Sequence, residues 1–241
     1  QPGTKFVGMK TLAQQATLTL HRQREMLMKM KVMQINALRG LLYEFGATFA
    51  RGRNALFSEI EATLESLANS MPQYVADSLR EQVQRIKQLG ADIKAVEVRL
   101  TAVLRADTDM RRVAQIPGVG LLTATALRAS AGDLSRFRSG RQFSAWLGLT
   151  PREHSSGQQR RLGGLTKRGD VYVRTLLIHG ARAVLQAARM KQRRGQDLDP
   201  LQAWALKVQD TRGHNKAACA LANKLARRLW AMDHHGTPFD P

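Results

Sequence analysis

The chain has 241 residues, 43% of them hydrophobic, which suffices for one or two buried cores. Its 38 lysines and arginines outnumber 19 acidic residues, and a formal net charge of +19 indicates a polyanionic partner. A single cysteine excludes an internal disulfide and a cysteine-rich zinc site, and no apolar run approaches the roughly 18 residues of a membrane span.

The first 107 residues are predicted to form long helices. Apolar residues recur at helical spacing from Met28 to Phe45, on a helix that reaches back to about Thr11. A second series, from Leu79 to Val103, steps by three or four residues, close to the coiled-coil repeat of about 3.5. A shorter helix near residues 58–68 separates them. We expect an antiparallel coiled-coil hairpin whose rods pair between chains as a homo-oligomer, a dimer or a tetramer.

The second predicted domain, residues 108–241, opens with a glycine-rich turn between two helices. The segment Pro117–Gly120 separates a helix that ends near Gln115 from the alanine-rich stretch after Leu121. Gly118 and Gly120 suit a helix-hairpin-helix, in which the second helix presents backbone amides to a phosphate. A purely structural turn between packed helices is the alternative. The fold class we predict is mainly α.

The segment from Thr150 to Lys167 has no periodic apolar stripe and is predicted to be an exposed basic loop, with a two-stranded form as one option. Within it, Ser156 stands beside a glycine and is flanked by Arg152 and Arg160. A serine that attacks a phosphodiester needs an accessible hydroxyl and nearby cations, and this loop contains both. A hydroxyl that only contacts phosphate is the ordinary alternative.

Basic residues are concentrated after residue 110, where 23 of the 38 occur with only 8 of the 19 acids. A helix over residues 171–190, capped by Thr166 or Asp170, is expected to line the nucleic-acid side with part of this charge. The predicted phosphate contacts are Arg138, Arg141, Arg152, Arg160, Arg161, Lys167, Arg168, Arg174 and Arg182.

The distribution of acidic residues argues against a metal site in this chain. Metal-dependent nucleases hold Mg²⁺ with three or four carboxylates gathered from a strand-rich domain. The eight acids after residue 110 are scattered, and no run of alternating strands carries them. We therefore expect this chain to bind no metal itself.

Four segments in order carry a family resemblance: IPGVG, GRQFSAWLGLTPREHSSG, RLGGLTKRGD and HNKAACALANKLARRLW. They resemble the C-terminal portion of the Piv-like insertion-sequence transposases, the family one-hundred-ten, whose members are recombinases guided by a bridge or seeker RNA. The histidine before Ser-Ser-Gly looks most like the subgroup eleven-eleven.

The resemblance implies an active site built from two parts. A RuvC-like N-terminal domain carries four carboxylates, which implies Mg²⁺, and a helical transposase domain after a coiled coil carries a serine nucleophile. The family's serine corresponds to Ser156, with Ser155 as the alternative. The RuvC-like domain is expected to be absent from this chain, which begins at Gln1, so that the fragment alone is inactive.

The partners implied by the resemblance are the ends of an insertion sequence, its target DNA and a structured guide RNA. The location implied is the prokaryotic cytoplasm, in association with the nucleoid. Two other classes stay open on the residues alone. A non-catalytic, architectural nucleic-acid-binding protein would form no serine-linked DNA, and a Holliday-junction-type nuclease would need carboxylates and leave hydroxyl ends.

The charge distribution predicts where nucleic acid binds. We expect affinity for DNA or structured RNA to fall steeply with rising salt, because each neutralised phosphate releases counterions. Alanine substitutions of basic residues after residue 110 should weaken binding more than equal numbers of such substitutions before it. Filter binding across a salt series measures this, and equal losses from both halves would contradict the prediction.

Overall fold

The computed structural model describes residues 9–50, 52–67 and 70–236. Within them the protein is mainly α, as predicted, with nine α-helices, one short 3-10 helix at Leu134–Arg136 and one two-stranded sheet. The helices are α1 Leu12–Glu44, α2 Arg53–Ser66, α3 Gln73–Ala106, α4 Thr108–Val113, α5 Leu121–Ala131, α6 Gly140–Trp146, α7 Val171–Arg193, α8 Pro200–Arg212 and α9 His214–His235, and the strands are β1 Pro151–Glu153 and β2 Leu162–Leu165.

The chain divides into two compact units. One is Thr19–Arg99, and the described residues on either side of that segment form the other. The predicted division into residues 1–107 and 108–241 stays a prediction.

The unit Thr19–Arg99 is a hairpin of two long helices with a third helix between them. Arg24 in α1 contacts Glu97 in α3 at 2.7 Å, and Gln82 donates to the side chain of Gln34 at 3.2 Å. Early residues of α1 therefore lie beside late residues of α3, which confirms the antiparallel hairpin. Coiled-coil packing and pairing between chains stay predictions.

One apolar core joins the three helices of this unit. Its buried members are Ile35, Leu38 and Leu42 of α1, Leu56, Ile60 and Leu64 of α2, Met71 between α2 and α3, and Ala76, Leu79, Val83 and Ile86 of α3. Those of α1, and those of α3 from Leu79 onward, belong to the expected series. The α1 series is wrong at Val32, which is 50% exposed. The spacing alone could not distinguish it from its buried neighbours, because helices α2 and α3 decide which edge of the stripe is covered.

In the second unit, α9 is the helix around which the others pack. Its buried face is made of alanine and leucine, including Ala218, Leu221, Ala222 and Leu225, and α6, α7 and α8 all contact it. Small side chains allow close approach of neighbouring backbones. At Gly140, which begins α6, a Cβ atom would lie 3.0 Å from the carbonyl oxygen of Arg227 in α9.

The glycine-rich turn between α4 and α5 also serves packing. Gly118 has a φ of 83°, and the amide of Val119 donates to the carbonyl of Ile116 at 2.9 Å. A Cβ atom on Gly180 in α7 would lie 1.8 Å from the carbonyl oxygen of Gly118. The two backbones touch, so the structural alternative accounts for Gly118. A helix-hairpin-helix role at this turn stays a prediction.

A polar network links α9 to α4 and α5. Arg128 in α5 donates to Asp233 in α9 and to Asp109 in α4, both at 3.0 Å. The Asp233 side chain is 8% exposed, so its bond to Arg128 forms where water screens it weakly, whereas Asp109 is 48% exposed. The network holds the C-terminal end of α9 against α4 and α5.

His21 predicts a pH dependence for the unit Thr19–Arg99. Burial, with a smaller effect of Arg24, lowers the pKa of His21 from 6.5 to about 4. The unfolded chain therefore takes up a proton before the folded one, and the free energy of unfolding should decrease as pH falls from about 6.5 to 4, by up to about 3 kcal/mol.

Urea denaturation at pH 7 and pH 4.5 measures this effect. His21→Gln should remove that part of the pH dependence, while His179→Gln, at an exposed histidine of α7, should leave it intact. The same loss of stability on acidification in wild type and His21→Gln would show that His21 is not responsible.

Candidate nucleic-acid interface

The predicted exposed basic loop is a β-hairpin. Strands β1 and β2 pair antiparallel, with Pro151 opposite Leu165 and Glu153 opposite Leu162. Every residue from Pro151 to Gly164 is exposed. The prediction of an exposed loop is confirmed, and of the forms considered the two-stranded one is present.

Ser156 lies at the tip of this hairpin. It exchanges backbone hydrogen bonds with Gln159 at 3.2 and 3.1 Å, which leaves a two-residue turn. Gly157 takes the first turn position with a φ of 57°, where glycine is favoured in hairpins. Among the described residues, none forms a hydrogen bond with the Ser156 hydroxyl. The hydroxyl is therefore exposed and available.

Ser155 has a different environment. Its hydroxyl donates to a carboxylate oxygen of Glu153 at 2.7 Å and accepts from the amide of Arg161 at 3.1 Å. It thus ties the two strands together just below the tip. Arg160 places its Nε 3.7 Å from the same Glu153 oxygen and stays exposed. Arg152 and Arg161 are exposed as well.

The structure corrects the position of Arg174. The sequence placed it on an exposed basic face of α7, but it is 7% exposed, and its Nη1 donates to the carbonyl oxygen of Leu147 at 3.0 Å. Arg174 lies beside Val173 and Leu177 on the buried face of α7, where it fixes the end of α6. It is not available to a phosphate.

The other predicted positions are accessible. Arg138, Arg141, Lys167, Arg168 and Arg182 are exposed, as is Gly120 at the start of α5, whereas Gly118 is half-buried. Asp170, rather than Thr166, caps α7 by accepting from the amide of Val173 at 2.9 Å. Arg182 donates to the side chain of Asn215 at 3.2 Å and so links α7 to the start of α9.

Part of this charge meets in a groove of about 850 Å³. One wall is the base of the hairpin, at Pro151, Gly163 and Gly164, and the other is the surface of α9 with Trp204 of α8. We call it the basic groove. Its lining includes four cations and no acidic residue: Lys167, Lys216, Lys224 and Arg227.

A second concavity of about 630 Å³ shares Lys224 and Arg227 with the basic groove. Arg141 and Trp230 also line it, at the start of α6 and the end of α9. The cationic surface therefore continues from the hairpin along α9 to α6.

Sequence reasoning missed the α9 cations and Trp204. The signal was present, because no acidic residue occurs from Thr211 to Met232 although five lysines and arginines do. Lys216, Lys224 and Arg227 are separated by eight and three residues, which places them on one side of a helix.

Lys224 shows how crowded the positive charge is. Its Nζ lies 4.1 Å from the ring centroid of Trp204. Burial, followed by the positive charges of Arg228 and Arg227, lowers the pKa of Lys224. An anion bound in the groove would relieve this repulsion.

Among the described residues, no three His, Cys, Asp or Glu side chains come together in a way that could hold a metal ion. The carboxylate cluster implied by the resemblance is therefore not formed by them. None of the described helices is long and apolar enough to span a membrane.

Comparison with known proteins identifies the family of this chain. Residues 110–196 match the model of the transposase IS116/IS110/IS902 family. A probable family 20 transposase of Pseudomonas aeruginosa is 40% identical over the whole chain, which covers 70% of that relative. The transposase for insertion sequence element IS1111A of Coxiella burnetii is 41% identical over 95% of the chain, and that for IS1328 of Yersinia enterocolitica is 36% identical over 99%.

A mainly helical protein with an exposed basic hairpin and these relatives is of the insertion-sequence transposase class. The chain belongs to the IS116/IS110/IS902 transposase family. It spans 61% and 69% of the lengths of the Coxiella and Yersinia relatives.

The buried position of Arg174 predicts a structural phenotype. Arg174→Met should lower the free energy of unfolding by about 1–3 kcal/mol, because it leaves the carbonyl of Leu147 without its buried donor. Arg168→Met, at an exposed arginine, should leave stability unchanged. Denaturant unfolding and DNA binding measured on both variants test this. Unchanged stability with weakened DNA binding in Arg174→Met would contradict it.

Proposed function

We propose that this chain is the strand-cleaving part of an insertion-sequence transposase, a DNA recombinase that binds the element ends, target DNA and a structured guide RNA. The observation that carries the proposal is the exposed Ser156 hydroxyl at the tip of a hairpin whose base borders the basic groove. The family membership of the chain supports the same reading.

Ser156 is proposed as the nucleophile. Its hydroxyl oxygen attacks the phosphorus of a DNA strand, loses its proton, and displaces one deoxyribose oxygen as a hydroxyl. The strand is then joined to the protein through a phosphodiester, whose energy remains available for rejoining to another strand. A turn position suits this step, because the hydroxyl can reach a backbone phosphate without moving a packed side chain.

Ser155 serves a positioning role in this proposal. Its bonds to Glu153 and to the Arg161 amide occupy the hydroxyl and hold the two strands in register. Ser156 has no such bonds among the described residues. This contrast favours Ser156 over the alternative nucleophile, Ser155.

Cations of the hairpin and of α9 are proposed to bind the DNA and RNA backbones. Arg152, Arg160 and Arg161 surround the serines, and Lys167 and Arg182 lie nearer α9. Arginine suits the charge that develops on phosphate oxygens because its guanidinium donates several hydrogen bonds in a fixed plane. Gly120 is proposed as a backbone contact at the start of α5.

Mg²⁺ is assigned to a RuvC-like domain of the complete protein. The described residues of this chain gather no cluster that fits the ion, so none is assigned to them. The chain by itself is therefore proposed to bind nucleic acid without cleaving it.

The rods are proposed to pair between chains. Met26, Met30, Met33 and Leu41 are exposed along α1 at spacings of four, three and eight residues. Apolar side chains that share one helix side in this way are typical of a helix–helix interface. A homo-oligomer would bring two hairpins, and so two serines, to the strands that are exchanged.

A purely architectural, non-catalytic role is the second candidate. The charge of the basic groove favours it, because that surface binds a polyanion without requiring a serine. The two candidates differ in covalent chemistry, which the next experiment measures.

In the complete transposase with its guide RNA, Ser156→Ala should abolish strand cleavage and leave DNA and RNA affinity nearly unchanged, since the hydroxyl adds little to so many cations. Ser155→Ala is the matched control and should retain cleavage at a reduced rate. End-labelled element DNA and denaturing gels measure both cleavage and the covalent protein–DNA product.

If Ser156→Ala cleaves DNA and Ser155→Ala does not, the nucleophile is Ser155. Full cleavage by the double variant, with no covalent product from the wild type, would remove the serine mechanism and leave the architectural role. Arg160→Ala should instead weaken binding and reduce its salt dependence.

A further inference from the structure

The basic groove has features that a surface for double-helical DNA does not need. Its lining includes the half-buried residue Trp204 and the apolar residues Leu149 and Leu165 as well as the four cations. Duplex DNA hides the faces of its bases and presents phosphates on a convex surface. A concave site with an aromatic ring is typical instead of proteins that bind unstacked bases.

Charge in the groove selects an anionic occupant. Lys167, Lys216, Lys224 and Arg227 line it without a single acidic residue. Lys224 lies over the ring of Trp204. A base that stacks on this ring would take the place of the ammonium group, which would then be free to bind the adjoining phosphate.

Two amide side chains add the capacity to bind base edges. Asn223 donates from Nδ2 to the carbonyl of Leu149 at 3.1 Å, which leaves its side-chain oxygen as an acceptor. Asn215 accepts from Arg182 through its oxygen, which leaves its amide as a donor. Both residues line the groove.

The hairpin connects the groove to the tip serine. Gly163 in the groove wall is four residues from Gln159, which pairs with Ser156. At the rise of a β-strand, four residues span at most about 13 Å, or about four nucleotides at the roughly 3.4 Å spacing of one B-form strand. A strand held in the groove could therefore extend to Ser156.

We propose that the basic groove binds a short single-stranded DNA segment next to the cleavage point, with one unstacked base against Trp204 and the adjoining phosphates on Lys216, Lys224 and Arg227. The choice of DNA rests on the proposed function, because the strand that reaches Ser156 is the one to be cleaved. The groove thus separates the strands near that point by holding one of them.

Binding, not cleavage, tests the proposal, so a Ser156→Ala chain should give the same result as the wild type. Fluorescence anisotropy compares a labelled single-stranded DNA oligonucleotide with its duplex, with RNA of the same sequence and with an acidic peptide. We expect the single-stranded DNA to bind most tightly. Trp204→Leu should weaken that binding by about 5- to 50-fold, as expected for loss of one stacked base, and weaken duplex binding much less.

Two lysine variants provide the second test, which decides the matter if Trp204→Leu fails to fold. Lys216→Gln should reduce the salt slope of single-strand binding by about one. Lys207→Gln, at an exposed lysine of α8 outside the groove lining, should not. Equal slopes in the two variants, equal losses of single-strand and duplex affinity in Trp204→Leu, or tighter binding of the duplex, the RNA or the acidic peptide would each overturn the proposal.

Discussion

Close packing against α9 is the constraint on which the second unit, outside Thr19–Arg99, depends. Alanine alternates with leucine along its buried face, and α6, α7 and α8 all rest on that face. At Gly140 a Cβ atom would lie only 3.0 Å from the carbonyl oxygen of Arg227 in α9, so a larger residue would be crowded there. Burying one side of α9 so completely leaves its cations on the remaining side, since uncompensated charge is costly inside a core. The cations of α9 therefore lie on its exposed side, where they line the basic groove.

The hairpin depends on the same arrangement. Its base joins the unit where Asn223 of α9 donates to the carbonyl of Leu149, just before β1. Beyond that point the strands are exposed, and they are held by their own hydrogen bonds and by side-chain contacts within the hairpin, among them Ser155–Glu153 and Arg160–Glu153. An exposed tip on an anchored base suits the nucleophile proposed for Ser156. The fold thus separates the packing around α9 from the exposed tip where cleavage is proposed.

Much of this could be predicted from particular residues. The helical spacing of Leu79, Val83 and Ile86 correctly predicted a buried face, because periodicity records which side of a helix avoids water. The lack of any apolar period around Ser156 correctly predicted exposure. Arg174 was misplaced, because charge alone suggested the surface while its position between Val173 and Leu177 put it on the buried face. A carbonyl contributed by another helix makes that burial tolerable, and no local pattern reveals it.

The sequence by itself determined the helical class, the excess of positive charge after residue 110 and the family, since these follow from composition, periodicity and ordered motifs. Only the tertiary structure decided which cations lie together. Lys167 and Lys216 are far apart in the chain and line one groove because the fold brings α9 next to the base of the hairpin. It also distinguished the two serines, because the partners of Ser155 lie on both strands of the hairpin. Such pairings depend on how separate segments meet in space, which spacing along one segment does not encode.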